Sequence, residues 1–375
     1  MYHINKEDME IIVNGASFLA SGGGGGVQSA NDVIKNIVSF ADQVAVAEPH
    51  EVHDDARLLV ICGVGAPDAP NLNFKLSPGY GLEGLQTMTG ESYHYVLPIE
   101  VGAMNSMIPL LACAQFDIPF VDADGAGRSV PQMSMCSYAL RGFSTRETLV
   151  VSEEDDQYPL HPDNAEDMEA QVRNIVSTKL QDAGTVATWS LTGRQIHSPG
   201  ALVPGSLAVA RSIGKAMASA SPLAAVQEII ATCYPAQAVI LRRGKVTAAT
   251  NRVQDGFDVG TVTLQEGTRQ VTLYFVNESL LATIDDGSNP VAFILGPDMI
   301  CSMGVDGTPM TNSEICSQFA AGHKVEITLL WVQAVDTIRV PSMFFKYLAL
   351  LLQKFGEVNL TGYRFLEDVP HILGE

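Results

Sequence analysis

The hydrophobic positions in the first half of the chain alternate between helical spacing and short continuous runs. Asp8–Ala20 and about Asn31–Ala41 carry apolar residues at helical spacing, which predicts two helices. Three apolar runs typical of buried strands follow at Arg57–Val64, Tyr95–Val101 and Ile118–Ala123. Ala103–Gln115, between the last two runs, has the length of a helix. This strand–helix–strand order predicts a parallel βαβ unit with a right-handed crossover.

The pattern changes in the second half. After an acidic connection that begins at Glu153, we expect a helix around Arg173, a strand over about Thr185–Ser190 and a helix over Gly205–Ala220. From about residue 236, short β-type segments are separated by Gly, Asp and Asn, and Ser342–Phe355 has the pattern of a tail helix. We therefore predict an α/β N-terminal domain with a mixed, largely parallel sheet over residues 1–165. A C-terminal domain over 166–375 should start as α/β and become β-rich from about 236.

Composition narrows the possible partners. The 375 residues are 46% hydrophobic and 17% charged, which is typical of a globular protein. The net charge of −20 disfavours nucleic acid and anionic membranes. No signal peptide is apparent at the N-terminus, and the six scattered cysteines include no CxxC pair, so we expect a cytoplasmic protein with reduced thiols. A small-molecule substrate and a homo-oligomeric assembly are also expected.

Five consecutive glycines, Gly22–Gly26, are the most unusual local feature. Backbone N–H groups of such a loop, ahead of a helix, can bind an anion, which makes Gly22, Gly23, Gly24 and Gly25 candidate substrate-binding residues. The alternative is a flexible linker between two helices. No strand leads into the loop and no Gly-Lys-Ser/Thr follows it, so we expect no nucleotide cofactor.

Polar residues follow two of the predicted strands, where ligand crevices of α/β sheets lie. Glu100 is a candidate general base, or alternatively a carboxylate that stabilises a helix start. Asn105, in the first turn of the next helix, is a candidate hydrogen-bond partner for a ring amide.

The second strand end carries Asp122, Asp124 and Arg128. Residues i and i+2 of a strand share a face, so the two carboxylates can converge on a metal or act as an acid and a base. Arg128 can clamp a substrate carboxylate or pair with the aspartates in a purely structural network. His94, with Asp122 and Asp124, is a candidate metal ligand. No HExxH or His-x-His spacing is present, so a metal site would have to be composite.

Several segments in order resemble the S-methyl-thiohydantoin desulfurase family. They are LASGGGGG, PIEVGAMNSMIPLL, IPFVDADGAGRSVPQM, ALVPGSLAVARSIGKAM, RRGKV, FVNESLLA and GPDMICSM. The resemblance runs from about Asp8 to Leu330. The PIEVG and VDADGAGR blocks are its specific part.

The resemblance implies an α/β domain followed by a β-rich domain, and hydrolysis of the C–S bond of a thiohydantoin ring. It also implies zinc or another divalent metal that activates water. In such a reaction Asp122 or Asp124 would activate the water and Glu100 would transfer a proton. The glycine amides and Arg128 would hold the ring oxygen or a substrate carboxylate.

The chain departs from the family at Ser21, where Thr or Cys is usual, and at Ala103, where a second glycine is usual. These departures leave the substrate open. A non-catalytic binding protein, or an accessory subunit of hydantoinase or oxoprolinase-type metabolism, is the alternative function.

Overall fold

A computed structural model describes residues 1–65, 74–181, 183–235 and 238–368. The strands in chain order are β1 Tyr2–Asn5, β2 Gln43–Ala47, β3 Arg57–Gly65, β4 Tyr95–Pro98, β5 Phe120–Val121, β6 Ala123–Asp124, β7 Thr148–Val151, β8 Gln157–Leu160, β9 Ala183–Thr192, β10 Val203–Pro204, β11 Val239–Gln254, β12 Phe257–Glu266, β13 Arg269–Val276, β14 Glu278–Asp285, β15 Pro290–Leu295, β16 Met299–Gly304, β17 Glu326–Val332 and β18 Arg364–Phe365. The helices are α1 Lys6–Leu19, α2 Val27–Phe40, α3 Ser77–Thr89, α4 Ala103–Phe116, α5 Ser137–Leu140, α6 Ala165–Lys179, α7 Gly193–Ile196, α8 Ser206–Met217, α9 Pro222–Cys233, α10 Asn312–Ala320 and α11 Pro341–Phe355.

The first sheet has eight strands in the order β1-β2-β5-β4-β3-β9-β7-β8. Its centre is parallel from β2 to β3, and antiparallel strands flank the centre on both sides. The predicted βαβ unit is present as β4, α4 and β5, with the two strands side by side. The mixed, largely parallel sheet predicted for the N-terminal half is therefore confirmed.

Strand β3 shows why its sequence is apolar throughout. Leu59 and Ile61 pack into one core with helices α1 to α4, α8 and α9. Leu58 and Val60 face the opposite core, which includes α6. Because both faces of the strand are covered, neither set of alternating positions can be polar.

The second sheet has eight strands in the order β16-β17-β11-β12-β13-β14-β15-β18, and all its pairs are antiparallel except β15 with β18. It is a curled half-barrel, with α10 packed into one core and α11 into another. The β-rich module predicted from about residue 236 is confirmed. Its first hairpin turns at Asp255 and Gly256. Both residues have positive φ, which a two-residue turn needs in order to match the right-handed twist of the two strands.

The division of the chain at residues 165 and 166 stays a prediction. Strand β9 lies within the first sheet, between β3 and β7, although it follows residue 166 in the chain. Helices α8 and α9 also pack into the core beside α1. The α/β start of the predicted C-terminal domain thus completes the first sheet before the second sheet begins.

Within the described part of the chain, no helix has both the length and the apolar character needed to cross a bilayer. The six cysteines are free; five are buried and Cys233 is exposed. Burial of most of the thiols agrees with the apolar segments in which they lie.

Candidate functional site

A cleft of about 640 Å³, counting the space open to solvent, lies between the carboxyl end of the first sheet and the start of β14. Its wall is apolar at Ile99, Met104, Ile108, Val130 and Met133, among other residues. Its polar side chains are Glu100, Asn105, Arg173, Asn277 and Glu278. An apolar wall with a few convergent polar groups is typical of a small-molecule site.

Glu100 follows β4 in the bend that leads into α4, so the strand end places it in the cleft, as predicted for a strand-end residue. The side chain is only 4% exposed. One carboxyl oxygen accepts a 2.7 Å hydrogen bond from Asn105 Nδ2, and the other accepts a 2.6 Å bond from the Val130 backbone N–H. Burial raises the pKa of Glu100 to about 7. The two hydrogen bonds and the positive charges of Arg128 and Arg173 act in the opposite direction and lower the pKa.

Asn105 lies in the first turn of α4 and lines the cleft, as predicted. Its side-chain oxygen accepts a 2.8 Å hydrogen bond from the backbone N–H of Gly63 in β3. The amide therefore joins the central strand to Glu100. Its predicted partner was a ring amide of the substrate, whereas the partners in the structure are Gly63 and Glu100.

Glu278, the first residue of β14, enters the same cleft from the second sheet. One of its oxygens accepts a 3.2 Å hydrogen bond from the Gly24 backbone N–H. Its other oxygen, Oε2, is buried and has no hydrogen-bond partner among the described residues. Burial first, and then the charge of Glu100, raise the pKa of Glu278 to about 8, while Arg128 lowers it.

The glycine run packs tightly between the two sheets, unlike a flexible linker. Gly22, Gly24 and Gly25 have positive φ, which favours glycine. The Gly22 carbonyl accepts from Asn312 N, and the Gly24 carbonyl accepts from Met104 N, so the loop is bonded to both halves of the molecule. Gly24 and Gly25 line the cleft, whereas the surroundings of Gly22 and Gly23 are the side chains of Asn312 and Glu278.

Ser21, where the chain departs from the family pattern, is fully buried. Its hydroxyl oxygen accepts a 2.9 Å hydrogen bond from the backbone N–H of Ile300. The same hydroxyl lies 3.2 Å from the Ile300 carbonyl, to which it donates. This residue thus fastens the glycine loop to β16.

Asp122 and Asp124 do not converge on one point. Asp122 accepts a 2.7 Å hydrogen bond from Leu207 N at the start of α8 and a 3.0 Å bond from the Tyr2 hydroxyl. Asp124 accepts from Ala126 N and Gly127 N through a single oxygen, at 2.9 and 2.7 Å. Asp122 therefore stabilises a helix start and Asp124 a tight loop, and neither side chain is part of the cleft wall.

Arg128 is fully buried. It donates to the carbonyl oxygens of Ser129, Pro297 and Asp298, and its guanidinium lies 5.4 Å from the centre of the Tyr347 ring. Its positive charge lowers the pKa of both Glu100 and Glu278. Arg128 was expected to bind a substrate carboxylate or to pair with Asp122 and Asp124. In the structure it binds three carbonyl oxygens instead, and both aspartates have other partners.

The residues predicted to hold a metal lie apart. His94 is exposed and lies just before β4, where its Nδ1 accepts a hydrogen bond from Arg57 N. Glu100 and the two aspartates instead lie at the carboxyl ends of their strands. At roughly 3.3 Å per residue, the six residue steps from His94 to Glu100 span about 20 Å when fully extended, and the two residues lie at opposite ends of β4. No group of three His, Cys, Asp or Glu side chains among the described residues is arranged to hold a metal ion. These residues do not fit a zinc site, so we derive no reaction step through one.

Three polar cleft residues, Arg173, Asn277 and Glu278, were not singled out as site residues from the sequence. Glu278 lies in the FVNESLLA block. A glutamate directly after an apolar run of a β-rich segment was the one sequence feature that could have marked it as a site residue. Arg173 on α6 donates to Glu169 at 2.8 Å and packs over Phe257, 4.1 Å from the ring centre. Only the fold brings these residues to the end of β4.

The comparisons with known proteins place the chain in a family. The S-Me-THD-like N-terminal domain matches residues 7–161, and the S-Me-THD-like C-terminal domain matches residues 162–334. No functionally curated protein gives a significant match. A crystal structure of a protein from Chromobacterium violaceum is similar with a TM-score of 0.76 and 25% sequence identity, over 97% of this chain and 99% of that one.

The two matched domains cover most of the sequence and agree with the order of motifs from the glycine run to GPDMICSM. The chain therefore belongs to the S-Me-THD-like family, with both its N-terminal and its C-terminal domain.

Proposed function

We propose that this protein is a hydrolase that acts on a hydantoin or thiohydantoin-like ring, with Glu100 and Glu278 as its acid–base pair. One observation carries the proposal: two buried carboxyl groups from different sheets line one cleft, with pKa values of about 7 and about 8. Groups that titrate near neutral pH can both accept and donate protons during turnover. Family membership supports the choice of ring, because S-methyl-thiohydantoins are the compounds after which the domains are named.

The hydrolysis of an S-methyl-thiohydantoin moves two protons, which suits a pair of carboxyl groups. In the first step the water oxygen bonds to the ring carbon that carries sulfur, the carboxylate takes a water proton, and the C=N electron pair moves to nitrogen, which takes a proton from the carboxylic acid. In the second step the new hydroxyl group gives its proton to the carboxylate that the first step produced, the C=O bond forms, and the C–S bond breaks. Sulfur leaves with the bond electrons and takes its proton from the carboxyl group that was protonated in the first step, which gives methanethiol. Both glutamates then regain their starting states.

The apolar wall supports this chemistry. Side chains such as Ile99, Met104 and Met133 contribute to the burial of the carboxyl groups, and this burial raises both pKa values. The zinc expected from the family resemblance stays a prediction, and metal analysis of the purified protein is its direct measurement.

The test compares Glu100→Gln and Glu278→Gln with the wild type, using S-methyl-thiohydantoin as the probe and methanethiol release as the readout. We expect kcat to fall by about 10²- to 10⁴-fold in each variant, because each loses one proton-transfer group. The exposed Glu326→Gln is the matched control and should keep full activity.

Wild-type levels of thiol release by both cleft variants would contradict the proposal. Stabilisation of the wild type by hydantoins without any thiol release would instead favour a binding protein. A thermal-shift series on the same samples separates that outcome from misfolding of the variants.

A further inference from the structure

We propose that Asn105 is a positioning residue that holds Glu100 as the proton acceptor of the pair and leaves Glu278 as the proton donor. This assignment of roles rests on the function proposed above. Its structural basis is a chain of hydrogen bonds from β3 through Asn105 to Glu100, and the described residues offer no equivalent chain to Glu278.

The orientation of the Asn105 amide is determined by Gly63. A backbone N–H only donates, so the atom of Asn105 that lies 2.8 Å from Gly63 N must be the side-chain oxygen. The amide nitrogen is then the atom that faces Glu100, at 2.7 Å. Gly63 belongs to β3, a central strand that pairs with β4 and β9, so the sheet holds the N–H that sets this orientation.

Both oxygens of Glu100 therefore face groups that only donate. Oε1 accepts from Asn105 Nδ2, and Oε2 accepts from Val130 N at 2.6 Å. Hydrogen bonds donated to a carboxylate favour its charged form. A proton on Glu100 has to point away from both donors.

Glu278 has weaker support for a negative charge. Its Oε1 accepts a long hydrogen bond of 3.2 Å from Gly24 N, and Oε2 has no hydrogen-bond partner in the described part of the chain. A buried carboxylate with an unsatisfied oxygen is costly, whereas the neutral acid is tolerated. Glu278 therefore retains its proton to higher pH than Glu100, in agreement with pKa values of about 8 and about 7.

The other charges around the pair act in the same direction. Arg128 and Arg173 both favour the carboxylate form of Glu100, whereas Arg128 is the cation that acts on Glu278. Among the described residues, Cys62, Asp124, Glu169 and Tyr347 are further titratable groups that interact with the pair or with Arg173. In the first step Glu100 therefore takes the water proton and Glu278 protonates the ring nitrogen, and the roles reverse when sulfur leaves.

The test removes the Asn105 amide with Asn105→Leu, which keeps the branched shape of the side chain, and with the smaller Asn105→Ala as a second variant. Two readouts are taken: the pH profile of kcat/KM with S-methyl-thiohydantoin, and infrared titration of the protonated carboxyl band, which needs no turnover. We expect the lower inflection to rise by about one pH unit, since one hydrogen bond to the charged form is lost. The upper inflection, from Glu278, should move less.

Infrared spectra of Glu100→Gln identify which titration belongs to Glu100. The matched control is Gln115→Ala, which removes a side-chain amide from the other end of α4, where it donates to the Lys75 carbonyl. Gln115→Ala should leave both inflections unchanged.

A folded Asn105 variant with an unchanged Glu100 titration would overturn the positioning role, even if the enzyme hydrolyses the probe. A shifted Glu100 titration in a protein that releases no thiol would support the positioning role and contradict the proposed reaction. The two proposals can therefore fail separately.

Discussion

At the scale of single residues, the partners of each carboxyl group distinguish a reactive side chain from a structural one. Asp122, Asp124, Glu100 and Glu278 are all at least nine-tenths buried. The aspartates accept hydrogen bonds that hold a helix start and a tight loop. The glutamates instead border open space in the cleft. Burial alone therefore does not single out the pair that we propose as reactive, whereas contact with a cavity does.

Asp124 tests this distinction. Asp124→Ala leaves the buried N–H groups of Ala126 and Gly127 without their acceptor, so it should destabilise the fold by roughly 2 kcal/mol or more. Asp124→Asn keeps an acceptor oxygen in place, and we expect it to retain the melting temperature within a few degrees and most of the turnover. Loss of turnover in a stable Asp124→Asn protein would restore the catalytic role expected from the sequence.

At the scale of elements, the glycine loop joins the two sheets at the cleft. Its residues meet α4 on one side and the start of β14 on the other. A Cβ atom on Gly23 would lie 2.0 Å from Glu278 Oε1, far inside van der Waals contact. The absence of a side chain at this position therefore allows Glu278 to reach the cleft.

Gly23→Ala should displace Glu278, lower methanethiol release at least tenfold, and destabilise the protein by about 1–3 kcal/mol through overpacking. Gly26→Ala is the matched control in the same loop. Its φ is −75° and the nearest atom to an added Cβ is Glu314 Oε1 at 3.3 Å, so both activity and melting temperature should stay near those of the wild type. Equal effects of the two substitutions would show that the loop does not position Glu278.

At the scale of the whole molecule, the buried acids make stability depend on pH in an unusual direction. Glu100, Asp124 and Glu278 have pKa values raised by burial to about 7, 7 and 8. In the unfolded chain these groups lose their protons near pH 4 to 4.5. Between those limits the folded state binds more protons than the unfolded state, so the free energy of unfolding falls as pH rises.

Glu278→Gln removes one of these groups, because glutamine does not ionise. We expect the variant to lose less stability than the wild type between pH 5 and pH 8.5, and to have the higher melting temperature at pH 8.5. Thermal unfolding at both pH values measures this, with Glu326→Gln as the exposed control. A wild-type pH dependence in Glu278→Gln would mean that Glu278 is not buried as a neutral acid.

The sequence by itself predicted the elements and one half of the site. Apolar periodicity is a local property, so the βαβ unit and the tail helix, expected over Ser342–Phe355 and observed over Pro341–Phe355, followed from spacing alone. Glu100 could be predicted as a site residue in the same way, because it directly follows a strand that the sequence pattern reveals.

The tertiary structure alone decided which carboxyl groups meet. Gly24 and Glu278 are 254 positions apart in the chain, yet one donates a hydrogen bond to the other. Asp122 and Asp124 were expected to share a face, but a short break between β5 and β6 directs them to different partners. Local patterns carry no information about a partner such as Glu278, because the packing of one sheet against the other brings it to the glycine loop. The reactive pair we propose therefore forms only where the two sheets close on the glycine loop.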